Sequence, residues 1–388
     1  MHADALAAEA EILLDHVARK TTCLDEAEMI LSNSSYRDPG QFAEETRRLF
    51  REHPLCVGPS CLLREPGDYF TFDDTGVPIL ILRDRDRGVR AFLNICSHRG
   101  APVAVGSGQL PGGLLSCPYH AWTYTLEGRL RGIPGREGFP NCDRAELGLT
   151  PLPAAERDGM IYVLADPGGT LDIAAVQGDL GRDMAGFGLE DHYLFDTTCI
   201  PVRQNWKSLL EGYHEFYHFA ALHPNTIGAI SYNNICHYQQ LGPNHRLSAP
   251  KLTIAELRET PRAQWRPRDH VSFVYYAFPA TVFFVVEDHF QLWRVYPVDA
   301  CNSVVYQSLF LPRPPADEAE EHHYREFFEM ITRVVIDEDY WLGEMLQRGI
   351  DSGIERNVII GRNEIGVQNM HRQIGRVLGR PPRMAKVA

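Results

Sequence analysis

From Ala3 to about Leu31, small, acidic and apolar residues recur at helical spacing, and Gln41 to Arg51, entered through Pro39, repeats the pattern over a shorter run. Two N-terminal helices are predicted. After Cys56 the period changes. To about Ala165 the chain is cut into short apolar runs, Val77 to Leu82, Val89 to Ile95 and Met160 to Leu164, separated by Gly, Pro and an Asp-Thr-Gly turn. That pattern predicts a small all-β domain. Thr197 to Val202 reads as a further strand. Asn205 to His223 reads as one helix running out at Pro224, with Glu211, Glu215 and His218 at i, i+4 and i+7 on one polar face. Alone, that face fits a solvated surface as well as a ligand site. Four runs rich in Val, Phe and Tyr follow, Val271 to Phe278, Thr281 to Glu287, Phe290 to Val298 and Ser303 to Leu311, and predict an antiparallel sheet. Glu318 to about Arg348 is a long helix or two, with an apolar stripe of Ile331, Val335, Leu342 and Leu346 on which Asp339 falls. Val358 to Leu378 reads as an amphipathic helix before a basic tail, both assigned to packing.

A length of 388 residues exceeds one ordinary domain. The pattern divides it into residues 1–45, 46–165 and 166–388, the first segment packing on the last. A net charge of −13 argues against a nucleic-acid surface. No run of apolar residues is long enough to span a membrane, and the N-terminus lacks the pattern of a signal peptide, so a cytoplasmic protein is expected. The nine cysteines are scattered and odd in number, unlike a disulfide framework.

Two of them change the picture. Cys96-Ser-His98-Arg-Gly and Cys117-Pro-Tyr-His120 are turns between predicted strands, with eighteen residues between His98 and Cys117. Two cysteines and two histidines also make a zinc site, but zinc fingers draw their histidines as a pair from a helix. One cysteine and one histidine per loop suits a [2Fe-2S] cluster with both thiolates on one iron and both imidazoles on the other. The glycines at 106, 108, 112 and 113 lie between these loops without a βαβ unit, so they are not a dinucleotide site. Asp339, an acid on an inward stripe, needs a partner. A metal shared with two histidines is such a partner, the facial triad of non-haem Fe(II) oxygenases. Asp337 and Glu338 compete with it for that role.

The two loops, the second continuing as Ala121-Trp-Thr-Tyr, resemble the cluster loops of the Rieske non-haem iron oxygenases. That family's iron motif is similar to Asn205, Trp206, Lys207, Glu211, Glu215, Tyr217, His218 and His223, which follow in order, and its acid pair is similar to Asp339 with Glu344. The resemblance implies an α+β fold, with an all-β Rieske domain inserted in a catalytic domain whose curved antiparallel sheet is covered by helices. It implies a [2Fe-2S] cluster on Cys96, Cys117, His98 and His120, covered by Trp122, and a mononuclear Fe(II) on His218, His223 and Asp339. Further implications are electrons from a reductase or ferredoxin, O2 and a small organic substrate, and a homotrimer or a multiple of it. In that assembly Glu215 bridges the cluster of one subunit to the iron of the next, and Glu211 is a supporting or capping partner. Ala121 stands where many relatives have Gly, Gly212 where many have Asn, and Glu215 where many have Asp. The Glu form resembles the branch of the carnitine, glycine betaine and choline monooxygenases. Strands rich in Phe and Tyr favour a hydrophobic or aromatic substrate. The alternatives are an N-demethylating or C–N cleaving monooxygenase of a quaternary ammonium compound, and, of another class, a Rieske electron carrier without oxygenase activity.

Overall fold

The chain divides at Glu45 and Ile173 into a continuous unit, Thr46–Ile173, and a second unit formed by Met1–Glu45 with Ala174–Ala388. The structure, a computed structural model, describes Met1 and residues 3–385. The last three residues of the basic tail lie outside the described residues.

The Thr46–Ile173 unit is built of strands and short turns. Val89–Leu93, Ile79–Arg83 and Asp68–Phe72 form the middle of a five-stranded sheet, and two three-stranded sheets complete the unit. All five residues of Ile79–Arg83 are buried, so this strand is covered on both faces. A core of Leu80, Leu82, Phe92, Leu115, Tyr124 and Leu126 takes in Cys96, Cys117 and Trp122. The packing is tight at Gly128, with φ 79°, where a Cβ would stand 2.4 Å from Phe92. Only glycine fits there.

The second unit is organised by seven antiparallel strands. In spatial order they are Tyr193–Val202, Ser303–Leu311, Phe290–Pro297, Thr281–Val285, Val271–Ala277, Asn244–Pro250 and His237–Leu241. The predicted runs between 271 and 311 are therefore a meander of adjacent strands. The expected curved sheet is not what forms: the sheet is open, and its two edge strands, Tyr193–Val202 and His237–Leu241, pair with different neighbours. Curvature and closure need repeated bulges and glycine kinks. Here register slips once, between Leu194 and Asp196, and none of the seven strands contains glycine.

Alternation along these strands gives two faces. Tyr276, Phe284 and Trp293 share one, against the turn of Tyr213 and His214. Tyr275 and Phe290 lie on the other, against Phe187 and His192. Three predicted helices are corrected. The first helix ends at Arg19, followed by Lys20 at φ 54°, and Met29–Ser32 is instead a strand between Asn357–Ile360 and Arg383–Met384. The last helix accordingly begins at Ile365, not at Val358. The long helix runs Glu318–Val334, passes through a π-helical stretch at Val335–Tyr340, and resumes as Trp341–Asp351. A π turn carries more residues than an α turn, so it shifts the helix phase. Past it the predicted stripe fails: Leu346 is 53% exposed, while Gly343 and Gln347 are buried.

Candidate metal centre

Asn205–His223 is not one helix. Asn205 caps a short helix, Trp206–Glu211, its Oδ1 accepting from the Lys207 amide at 3.0 Å. Trp206 Nε1 and Lys207 Nζ both donate to Glu45, at 2.9 and 2.8 Å, and Lys207 and Glu45 are almost wholly buried. The motif Asn-Trp-Lys is thus an anchor rather than a ligand set. A 3-10 turn, Gly212–His214, leads to Glu215 in an extended conformation, and a second short helix spans Phe219–Leu222. The break removes Glu211 from the face of Glu215 and His218. Glu211 Oε1 accepts from Tyr36 at 2.7 Å and pairs with His371 at 2.8 Å, so it neither caps a helix nor touches His218 or His223.

The same break lets the Glu215 carboxylate turn back onto its own chain. It accepts from the amides of Tyr217 and His218 and takes the Nδ1 of His218. That leaves the His218 Nε2 facing Asp339 Oδ1 at 3.7 Å, and the His223 Nε2 faces the same oxygen at 3.3 Å. His223 Nδ1 is held by Glu338 Oε2 at 2.5 Å, and Glu338 also accepts from Thr226 Oγ1 at 2.9 Å. The π-helical stretch supplies both acids. Of its three consecutive carboxylates, Asp337 is exposed, Glu338 meets a ring nitrogen from behind, and Asp339 faces both imidazoles.

The donor atoms of His218, His223 and Asp339 all lie within 4.8 Å of one another. Neighbouring ligands of a metal bound at about 2.1 Å stand about 3 Å apart, so these atoms need only small shifts to bind one ion. Electrostatics point the same way. Burial disfavours charge on the His223 ring, but hydrogen bonds to Asp339 and Glu338 outweigh it and raise its pKa above the usual imidazole value. The pocket between the rings and the carboxylate favours positive charge, as a divalent cation would supply.

The cluster loops are near copies of each other. In each, the cysteine amide donates to the carbonyl five residues on (Cys96 to Ala101, 2.8 Å; Cys117 to Trp122, 2.9 Å), and the residue four on returns a bond to the cysteine carbonyl. That fourth residue has positive φ in both, Gly100 at 81° and Ala121 at 55°. Both cysteines are buried, while His98 is part-exposed and His120 exposed, with ring centroids 4.7 Å apart. Trp122 is buried and stacks on His98 at 4.8 Å. Tyr124 OH lies 3.1 Å from the Cys96 sulfur. Buried thiols beside outward imidazoles suit a cluster with one inner and one outer iron.

Family comparison agrees with both geometries. The Rieske [2Fe-2S] domain family matches residues 53–143, and the ring hydroxylating alpha subunit (catalytic domain) family matches residues 189–380. The chain belongs to the Rieske non-haem iron oxygenases. As a catalytic subunit of that family it is an oxidoreductase with a Rieske [2Fe-2S] domain and a mononuclear iron site at His218, His223 and Asp339. This oxygenase is 26% identical to the carnitine monooxygenase oxygenase subunit of Acinetobacter baumannii over 320 residues, 82% of this chain and 84% of that one. The glycine betaine monooxygenase oxygenase subunit of Chromohalobacter salexigens is 32% identical over 199 residues, 50% of this chain and 43% of the relative, so that match spans less than half its length. The fold is shared with a quaternary ammonium Rieske monooxygenase in complex with L-carnitine (TM-score 0.75, 21% identity, 90% and 95% of the two chains). It is also shared with naphthalene 1,2-dioxygenase with indole bound (TM-score 0.71, 17% identity, 90% and 92%).

Sequence reasoning missed Glu45 and the work of Glu338. No local pattern marks Glu45, which lies 162 positions from Lys207. Glu338 was visible as the neighbour of Asp339, but only the π turn shows that adjacent acids address opposite sides of one imidazole. Among the described residues no helix is long and apolar enough to cross a membrane, and none of the nine cysteines is in a disulfide.

Proposed function

We propose that this oxygenase attacks a carbon bonded to the nitrogen of a quaternary ammonium compound, and that a small hydrophobic or aromatic substrate, favoured by strand composition, is not its target. The observation that carries this reading is a trio of rings beside the iron site. Tyr213 and Trp293 lie 5.2 Å apart, and Phe284 completes the group at 6.0 Å from each. Tyr213 OH meets Tyr340 OH at 2.5 Å, and Tyr340 follows the iron ligand Asp339. Burial and the neighbouring Tyr340 hold the Tyr213 phenol well above its usual pKa, so it stays neutral. Neutral ring faces attract an ammonium group without competing for the metal. The relatives that act on carnitine and glycine betaine, and Glu rather than Asp at 215, support the same substrate class. The phenylalanines behind the aromatic expectation carry less weight, because Phe283 and Phe290 sit on the sheet's other face.

Cys96 and Cys117 would hold the inner iron of the cluster and His98 and His120 the outer, where electrons from a reductase or ferredoxin enter. A mononuclear iron on His218, His223 and Asp339 supplies the activation of O2. Hydroxylation at the carbon next to nitrogen, with the other oxygen atom leaving as water once an electron pair and protons arrive, gives a carbinol that collapses to an amine and a carbonyl compound. Glu215 would connect the two metal sites across subunits of a homotrimer, its carboxylate holding His218 Nδ1 on one side.

The test is O2 uptake against product formation, using the purified chain with a surrogate reductase and panels of quaternary ammonium compounds and aromatic hydrocarbons. Amine and aldehyde formed in step with O2 support the proposal. Coupled arene hydroxylation without turnover of any quaternary ammonium compound contradicts it, and no coupled product from either panel favours the electron carrier.

A further inference from the structure

We propose that Glu338, clamped by Thr226, is a positioning residue that fixes His223 as an Nε2 ligand and sets the strength of metal binding. The inference rests on the reading of His218, His223 and Asp339 as an iron site. Three observations carry it. First, the two nitrogens of the His223 ring are divided between two carboxylates, Nε2 towards Asp339 Oδ1 at 3.3 Å and Nδ1 towards Glu338 Oε2 at 2.5 Å. Ring nitrogens diverge, so a group at Nδ1 cannot share the ion bound at Nε2. Glu338 is thereby excluded as a ligand and holds the proton that keeps Nε2 free to bind.

Second, Glu338 is itself held. Thr226 Oγ1 donates to Oε2 at 2.9 Å and lies 3.3 Å from Oε1. The loop bringing Thr226 there folds tightly on His223: the amides of Thr226 and Gly228 both donate to the His223 carbonyl, at 3.2 and 3.0 Å. At Gly228 a Cβ would stand 2.4 Å from the Phe219 carbonyl and 2.7 Å from that of His223, so the loop closes only with glycine. His223 is itself only 2% exposed, so its ring is packed within the fold. Third, the arrangement mirrors the other histidine, whose Nδ1 is held by Glu215. Glu215 is also the proposed contact to a neighbouring subunit, whereas Glu338 has only His223 and Thr226 as partners in its described hydrogen bonds. The two acids thus separate a connecting task from a purely orienting one.

The test starts from the whole protein with its cluster intact and the mononuclear site emptied by a chelator, then titrated with Co(II). The visible ligand-field bands report the site and the cluster absorption reports folding. Glu338→Ala is expected to weaken Co(II) binding by about 10- to 100-fold and to shift the bands. Glu338→Gln keeps the shape and an acceptor oxygen but not the charge, and should weaken binding less. Asp337→Ala, altering the exposed neighbour, should stay within about twofold of the unaltered protein. Glu338 variants that bind Co(II) with unaltered affinity and spectrum overturn the positioning role alone. If the unaltered protein takes up no Co(II), or His218→Ala binds it undiminished, the iron reading falls and this inference with it.

Discussion

Single residues carry two separable demands here, holding a metal ligand and holding a backbone. Glu215 does both, since one oxygen takes His218 Nδ1 and the other accepts two amides of the turn that presents His218. Glu215→Ala, loaded with excess Fe(II), should keep its cluster absorption and its mononuclear iron yet lose coupled turnover by about 10- to 100-fold or more. Turnover at the unaltered rate would remove the bridging role. Ala121 makes a purely backbone demand. It repeats the position of Gly100 in the sister loop, yet its φ of 55° is the left-handed region that costs a side-chain-bearing residue about 1 kcal/mol. Ala121→Gly should therefore raise stability towards urea by up to about 1 kcal/mol without altering the cluster spectrum, less whatever glycine adds to unfolded-state entropy.

The instructive elements are the interrupted ones. Both stretches that supply iron ligands depart from α-helix at the ligand, one breaking at Gly212 and the other widening at Val335. The ligands His218, His223 and Asp339 were legible through the resemblance of their order and spacing to the family's motifs, not from helical periodicity, which left that face as well suited to solvent. Their backbone was not, because a 3.6-residue period assumes a regular helix through the site. That assumption placed Glu211 on the ligand face and Leu346 in the core, and both placements fail. Anchoring is also an element-scale matter. The short helix Trp206–Glu211 is tied to Pro39–Glu45 through Lys207 and Glu45, which are 2% and 1% exposed. Glu45→Ala would leave a buried ammonium without its partner, and should cost about 3–5 kcal/mol in chemical denaturation while leaving both sets of metal ligands in place.

For the molecule as a whole, the onset of short strands at Leu55–Pro59 followed from the change of period near Cys56, a local signal that periodicity reports well. The openness of the seven-stranded sheet did not, since closure depends on bulges and shear between distant strands such as Tyr193–Val202 and Ser303–Leu311, not on the composition of any one. The substrate class was read from abundance of Phe and Tyr, which ignores the face each ring takes. Buried histidines give the whole fold an acid sensitivity. Burial pushes His245 down to about 3 and His214 well below its usual value, and both are fully buried. An unfolded chain protonates these rings below pH about 6.5 and the fold does not, so stability present above that pH is lost as pH falls towards about 3. The urea midpoint should drop between pH 7 and 5, and His245→Gln should flatten that slope; an unchanged slope would show that other groups govern it.

The central claim, that one chain carries a Rieske cluster and a separate mononuclear iron on His218, His223 and Asp339, is tested most directly by counting iron. The purified chain, reconstituted anaerobically, should hold about three irons with about two acid-labile sulfides, and His223→Ala about two irons with the sulfide unchanged. About two irons in the unaltered chain, or no loss of iron in His223→Ala, would contradict the account.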